Sequence, residues 1–162
     1  NIELDSHKIL DVGCGLGNLL EHLKDAHENP DYTGVDILED MIIKAREVHP
    51  EANFLTVDIF ANEIFGENSF NTIYSSGIFN INMGNNRDFL HDAVKLFLKL
   101  ADKTIIFNLL HHNSPDIDNT YYYFSPDEVF RMIEDMNNES IKSIKIVEHY
   151  LKNDFTIILE KY

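Results

Sequence analysis

A strand-like run that ends in alternating glycines and passes straight into helical spacing, Lys8–Leu20 (KILDVGCGLGNLL), constrains this chain more than any other stretch. His7–Val12 (HKILDV) reads as a buried strand, while Leu19, Leu20 and Leu23 mark one face of a helix over Leu16–His27. Between them Gly13, Gly15 and Gly17 fall at every second position, where glycine permits positive φ and lets a ligand approach the backbone closely. The helix that follows presents unpaired N–H groups and the positive end of its dipole. In a doubly wound sheet such a turn is the usual ligand crevice.

The rest of the chain repeats the alternation. Strands are expected at Tyr32–Asp36, Asn53–Val57, Phe70–Ser75 and Thr104–Leu110, with helices over Leu38–Val48 and Arg87–Ala101. His111–Phe124 is a polar, aromatic connection of the length that often carries function. Ser125 and Glu128 have the spacing of a capping box, and Pro126 suits the first position of a helix reaching about Met136. Two further strands, near Lys142–His149 and Asp154–Glu160, read as a hairpin turning at Lys152 and Asn153. Alternating strands and helices imply an α/β, doubly wound, mostly parallel sheet, to which the hairpin adds an antiparallel strand. No repeat or linker interrupts the chain, so a single domain over residues 1–162 is expected.

Composition narrows the partners. Acidic side chains outnumber basic ones 28 to 13, for a net charge of −15, which argues against unaided nucleic-acid binding and against an anionic membrane surface. No apolar run is long enough to span a membrane. With 44% hydrophobic residues the chain has material for a core, and one cysteine forms no internal disulfide, which suits the cytoplasm.

Two details sharpen the glycine loop. The dinucleotide fingerprint G-x-G-x-x-G needs its third glycine at position 18, which is Asn18 here. Asp11 precedes the first glycine by two residues, Asp36 closes the second expected strand, and Asp58 closes the third. A carboxylate at the end of the second strand suits ribose hydroxyls. Asp58 alone reads equally well as a turn residue.

These residues resemble a known family. Lys8–Gly17 (KILDVGCGLG), Tyr32–Ala45 (YTGVDILEDMIIKA) and Asn53–Asp58 (NFLTVD) look like the cofactor motifs of class I S-adenosylmethionine-dependent methyltransferases, and the likeness continues less specifically through Phe70–Asn80 and the closing hairpin. The resemblance implies a Rossmann-like seven-stranded sheet whose last strand is antiparallel. It implies that Gly13, Cys14 and Gly15 line the methionine moiety, with Asp11 supporting that loop and the amino group. Asp36 would bind the ribose hydroxyls, with Ile37 and Met41 beside the nucleoside. Asp58 would meet the adenine amino group and Ile59 its ring, while Ser75, Ser76 and Gly77 would face the sulfonium. An acidic mouth suits a sulfonium and an ammonium better than a pyrophosphate, and the cofactor's carboxylate has backbone N–H groups near Asn18 to accept from. The family also places helices ahead of the first strand; only six residues precede His7, so those lid helices are expected to be missing.

Methyl transfer is an in-line displacement that rests largely on positioning, and only a hydroxyl acceptor profits from a general base. His111 and His112, directly after the fifth strand, are the candidate bases, against the plainer reading of a surface pair. Asn80 and Asn108 end strands and either orient an acceptor or satisfy turn backbone; Tyr121, Tyr122 and Tyr123 either wall an acceptor pocket or pin the connection. The Asn/Asp-Pro-Pro-aromatic signature of amino-directed DNA methyltransferases is absent, since the fourth strand runs into SSGIFN, and no Cys/His cluster has metal-ligand spacing. The expectation is therefore a cytoplasmic methyltransferase acting on a small-molecule acceptor, at oxygen or carboxylate. Its rivals are a protein or RNA methyltransferase that relies on a missing segment or partner, and a non-catalytic cofactor-binding subunit. The oligomeric state is not legible in the sequence.

Overall fold

A computed structural model describes residues 7–26 and 29–162. Along the chain come β1 (Lys8–Val12), α1 (Asn18–Asp25), β2 (Asp31–Asp36), α2 (Glu39–Val48), β3 (Asn53–Thr56), β4 (Phe70–Ser75), α3 (Asn86–Leu100), β5 (Ala101–Leu110), α4 (Pro126–Asp135), β6 (Ile141–Val147) and β7 (Asp154–Lys161). The strands form one seven-stranded sheet in the order β3-β2-β1-β4-β5-β7-β6. From β3 through β5 every neighbouring pair is parallel, while β7 runs antiparallel to both β5 and β6. The mostly parallel sheet with an antiparallel last strand is the one expected.

Side-chain alternation on β1 splits the core into two layers. Ile9 faces one way and packs with Leu20 and Leu23 of α1, Tyr32, Ile42 and Ala45 of α2, and Phe54. Leu10 and Val12 face the other way, into a larger cluster with Ile73, the α3 stripe Leu90, Ala93, Val94 and Phe97, Val129 and Ile133 of α4, and Phe155, Ile157 and Leu159 of β7. Each such side chain, taken fully out of water, contributes about 1.5–3 kcal/mol, which is why short helices with no side-chain caps hold their places.

Three local expectations are corrected. β5 starts at Ala101 rather than Thr104, because α3 passes into it without a loop and Ala101 already pairs with Phe70. Ser125 stands at the N-cap of α4 but its hydroxyl makes no capping bond, and the Glu128 carboxylate that would form the other half of the box is drawn across to Arg87 at the start of α3. β6 leaves the ladder at Val147, and His149 turns the chain with φ +70°. The expected end of the first helix, at His27, lies outside the described residues.

The connections diverge on either side of β1: one goes out to β2 and β3, the other to β4 and β5. That switch point leaves a crevice at the carboxyl ends of β1 and β4. Because β7 is antiparallel, its start at Asp154 lies opposite Leu110, so the β6–β7 turn stands on the same edge.

Candidate active site

The glycine loop is built by its own backbone. The N–H groups of Gly13 and Cys14 both donate to the Val35 carbonyl of β2, at 2.8 and 3.0 Å, which ties the loop to the neighbouring strand. Gly13 has φ +73°, and a Cβ there would stand 2.1 Å from Ile78 Cγ2, so the loop after β4 presses directly on it. Gly15 is different: φ is +53°, and no atom lies within 4 Å of where its Cβ would be. Beyond it the N–H groups of Leu16, Asn18 and Leu19 find no acceptor among the described residues, as expected at a helix start.

Asp36 faces this cradle. One carboxylate oxygen accepts from Gly15 N at 3.0 Å and the other from Leu38 N at 2.9 Å. Each oxygen keeps a lone pair for a further donor. Ile37 and Met41 stand beside it with 67% and 37% of their surface exposed, an apolar shelf next to a carboxylate. Asp58 is exposed on the neighbouring strand end; its Oδ1 accepts from Phe60 N and Ala61 N, the turn role weighed above, and no described donor reaches Oδ2. Ile59 turns inward and joins the main core.

Other expected residues serve the site through backbone or from beneath. Cys14 points its thiol into the α1–α2 layer, where burial first, then the Asp11 and Asp36 carboxylates, push it up to about 12; it is no nucleophile. Asp11 is almost wholly buried and accepts a 2.6 Å hydrogen bond from the Tyr32 hydroxyl. Burial raises its carboxyl to about 7, against the lowering effect of the Tyr32 bond and with a further push from Asp36. The Tyr32 phenol is in turn driven far up by burial and by Asp11. Ser75 is fully buried, its hydroxyl stitching β4 to β1 through the Val12 carbonyl at 3.0 Å, so only Ser76 and Gly77 of that trio reach the crevice.

Across the crevice, Gly77 N donates to Asn108 Oδ1 at 3.0 Å, and Asn108 Nδ2 donates to Asp154 Oδ2 at 3.2 Å. Asn108 thus satisfies turn backbone and couples the loop after β4 to the start of β7. Asn80 Oδ1 is buried without a partner, while its amide nitrogen comes within 4.0 Å of the position a Gly77 Cβ would take. An orphaned acceptor beside a strand-end glycine is what a site for a donor-bearing ligand shows.

The two histidines differ. His111 Nδ1 accepts from Asn113 N at 2.9 Å, so the bond pattern assigns the ring proton to Nε2, which donates to Glu148 at 3.1 Å. Both nitrogens are occupied. His112, stacked on it at 4.8 Å, has Nδ1 3.3 Å from the Phe124 carbonyl, which leaves its Nε2 lone pair free. Tyr122 and Tyr123 pin the long connection, the first packing on Phe124 and meeting Arg87, the second bonding Asp116 and Asp118. Tyr121 is left half-exposed beside Ile81, to which it bridges. The parts that Tyr32, Val35, Glu148 and Asp154 play here were not anticipated.

Among the described residues no group of His, Cys, Asp and Glu could hold a metal ion, and no helix is long and apolar enough to cross a membrane.

Comparison with known proteins gives a consistent picture. The profile of a family described as "Methyltransferase domain" matches residues 9–99. The Mycobacterium tuberculosis protein Rv1506c, whose name assigns it provisionally as a methyltransferase, is 25% identical over 163 residues, covering 97% of this chain and 95% of its own. Trans-aconitate 2-methyltransferase of Rhodopseudomonas palustris is 36% identical over 73 residues, but this spans only 38% of the chain and 28% of that enzyme. Among solved structures, the magnesium protoporphyrin IX methyltransferase of Synechocystis with bound S-adenosylmethionine superposes with a TM-score of 0.69 at 18% identity, over 98% of this chain and 72% of that one, a likeness of fold.

Proposed function

The chain belongs to the methyltransferase domain family of class I enzymes, with S-adenosylmethionine as cofactor, and from that premise we propose that its acceptor is a small molecule methylated at oxygen, a carboxylate oxygen included. The observation that carries the cofactor assignment is Asp36, fixed by Gly15 N and Leu38 N over an open Gly15 cradle at the switch point. The residues fit the group: Asp36 meets ribose hydroxyls, Ile37 and Met41 flank the nucleoside, Asp58 Oδ2 is free for the adenine amino group, and Ile59 lies beneath its ring. Gly13, Cys14 and Gly15 offer backbone to the methionine moiety, the N–H groups at Asn18 suit its carboxylate, and Asp11 backs the loop from below. Ser75 holds β4 in register while Ser76 and Gly77 border the sulfonium.

When bound, adenosylmethionine supplies a methyl group on sulfonium, a neutral sulfide being the leaving group. The chain's own part is to orient and to exclude water. Asn108 holds the Gly77 loop, and the bridged loops around Ile81 and Tyr121 wall the approach. For a hydroxyl acceptor His112 is the base, since its Nε2 is free and its Nδ1 is held, with His111 stacked behind it and tied to Glu148; a carboxylate acceptor needs neither.

Support for a small acceptor comes from the trans-aconitate enzyme, whose name gives a small acid as its substrate, and from the acidic balance, which is poor for RNA. One domain over 1–162 and a cytoplasmic setting, which keeps Cys14 reduced, complete the reading. The test is labelled adenosylmethionine given to the protein in a cell extract, fractionated by size. Label in metabolites is expected; label in protein or RNA overturns the small-acceptor reading. Thermal stabilisation by nicotinamide dinucleotides but not by adenosylmethionine would overturn the site.

A further inference from the structure

The loop that follows β4 and borders the glycine turn is held at both ends by asparagine side chains. At its start Asn108 Oδ1 accepts from Gly77 N at 3.0 Å. At its far end stands Asn86, the first residue of α3 and almost wholly buried. The Asn86 amide nitrogen donates to the Ile81 carbonyl at 2.6 Å and to the Phe79 carbonyl at 3.3 Å, and its oxygen accepts from Met83 N at 2.8 Å. One buried side chain thus commits both amide protons and its oxygen to alternate residues of a single loop.

The residues in between bond the other way. The Asn80 carbonyl accepts from Tyr122 N at 2.8 Å, and Asn82 N donates to the Thr120 carbonyl at 2.9 Å. The stretch is therefore clamped, with Asn86 on residues 79, 81 and 83 and the long connection on 80 and 82. Phe79 sinks its ring into the core, but beyond it burial gives no hold: Ile81 and Met83 turn outward, 60% and 53% exposed. Hydrogen bonds alone fix that part of the loop. Just ahead of the clamp, Ile78 Cγ2 lies 2.1 Å from where a Gly13 Cβ would stand, so a shift of this loop is felt at Gly13.

We propose that Asn86 is a positioning residue for the cofactor site: by clamping the loop after β4 it keeps Ile78 seated against Gly13, and so raises the affinity for adenosylmethionine. The inference rests on the placing, proposed above, of the methionine moiety against Gly13, Cys14 and Gly15. Without the amide, two carbonyls and the Met83 N–H lose their partner, and the loop visits positions in which Ile78 has left Gly13. Apparent affinity then falls by the fraction of time for which the seated form is populated.

The test titrates adenosylhomocysteine by calorimetry into the whole chain, the single variants Asn86→Ala, Asn86→Asp and Ile78→Ala, and the double variant N86A/I78A, each first shown to be folded. Asn86→Ala should weaken binding about tenfold, as when the seated form is populated about a tenth of the time. In N86A/I78A the two losses should not add, because both act through the same contact. Asn86→Asp gives a signature that loss of packing does not. A protonated carboxyl can donate to the Ile81 carbonyl and accept from Met83 N, whereas a carboxylate cannot donate. Relative to wild type, its affinity should therefore recover as the pH falls from about 8 to about 5, with no recovery in N86A. Unchanged affinity in folded N86A, additive losses, or a flat pH ratio for N86D would each overturn the role. Should the Asn86 variants not fold, hydrogen exchange of the wild type decides: adenosylhomocysteine should slow exchange at the Met83 amide, by reciprocity, and unaltered exchange there overturns the role. No binding of adenosylhomocysteine to the wild type would instead overturn the cofactor site, and this role with it.

Discussion

Asp36 has two jobs at once, and they separate by experiment. Its carboxylate accepts from Gly15 N and Leu38 N, so it shapes the loop, and its remaining lone pairs are the ones proposed for a ribose. Asp36→Ala should lose both bonds, costing about 1–3 kcal/mol of stability, and weaken adenosylhomocysteine binding by roughly 10- to 100-fold, since hydrogen bonds to a charged acceptor are worth about 1.5–3 kcal/mol each. Calorimetry checks this, and unchanged affinity would remove Asp36 from the ribose site. Asp11 makes a different prediction. Its carboxyl, near 3.8 in an unfolded chain, is raised to about 7 by burial. The folded state therefore keeps a proton that the unfolded chain has given up. The contribution of Asp11 to stability is full below about pH 4, falls by up to about 1.4 kcal/mol per pH unit as the pH rises to about 7, and is level above that. Asp11→Asn can still accept from the Tyr32 hydroxyl and should lose this slope, overtaking the wild type as pH rises. Parallel denaturation curves for the two proteins between pH 4 and 8 would show that Asp11 does not titrate in that window. The sequence placed Asp11 under the glycine loop as its support, but its bond from the Tyr32 hydroxyl and the depth of its burial left no mark there.

At the scale of elements, periodicity carried most of the information. β4 ends where the run FNTIYS ends, and α2 and α3 lie within a residue of their apolar stripes, because their burial is one-sided and leaves its mark on the spacing. What periodicity missed was set by other elements: β5 gained three residues from its pairing with β4, and Glu128 abandoned a capping role for Arg87 on a helix far away in sequence. The glycine loop shows the same division. Its glycines were legible, but the reason Gly13 tolerates no side chain is Ile78, which arrives from the loop after β4. Gly13→Ala should thus cost roughly 2–5 kcal/mol, combining overpacking with a left-handed φ. Ile78→Ala should relieve the overpacking part, so the double variant G13A/I78A should be more stable than the two single losses added together, leaving about 1 kcal/mol or more of backbone strain. Strict additivity in urea melts would mean that the loop shifts as a whole and that the contact does not hold the glycine turn.

For the whole molecule, the strand-end arrangement behind the proposed cofactor site was far more legible than the one behind the proposed acceptor side. The former depends on strand ends adjacent in a fixed topology, so Asp11, Asp36 and Asp58 fall on one edge once the alternation is read. The latter depends on β7 entering antiparallel between β5 and β6, which brings Glu148 to His111 and Asp154 to Asn108 across 37 and 46 residues of sequence. The net charge of −15 now has a measurable consequence. Adenosylmethionine carries one net positive charge at neutral pH and adenosylhomocysteine none, while the two are otherwise nearly the same shape. A field from carboxylates around the crevice should therefore favour the former at low salt and lose that preference as salt is added. Between about 20 mM and 500 mM NaCl the screening length falls from roughly 20 Å to roughly 4 Å, so the contribution of distant helix-face acids disappears and only Asp36 and Asp58, the carboxylates proposed for the site, remain effective. The dissociation constant of adenosylmethionine should rise several-fold more over this range than that of adenosylhomocysteine, which calorimetry or fluorescence titration of both ligands in the same buffers measures. If the two constants move in parallel, the acidic excess does not act on the cofactor and serves only to keep the protein apart from its neighbours.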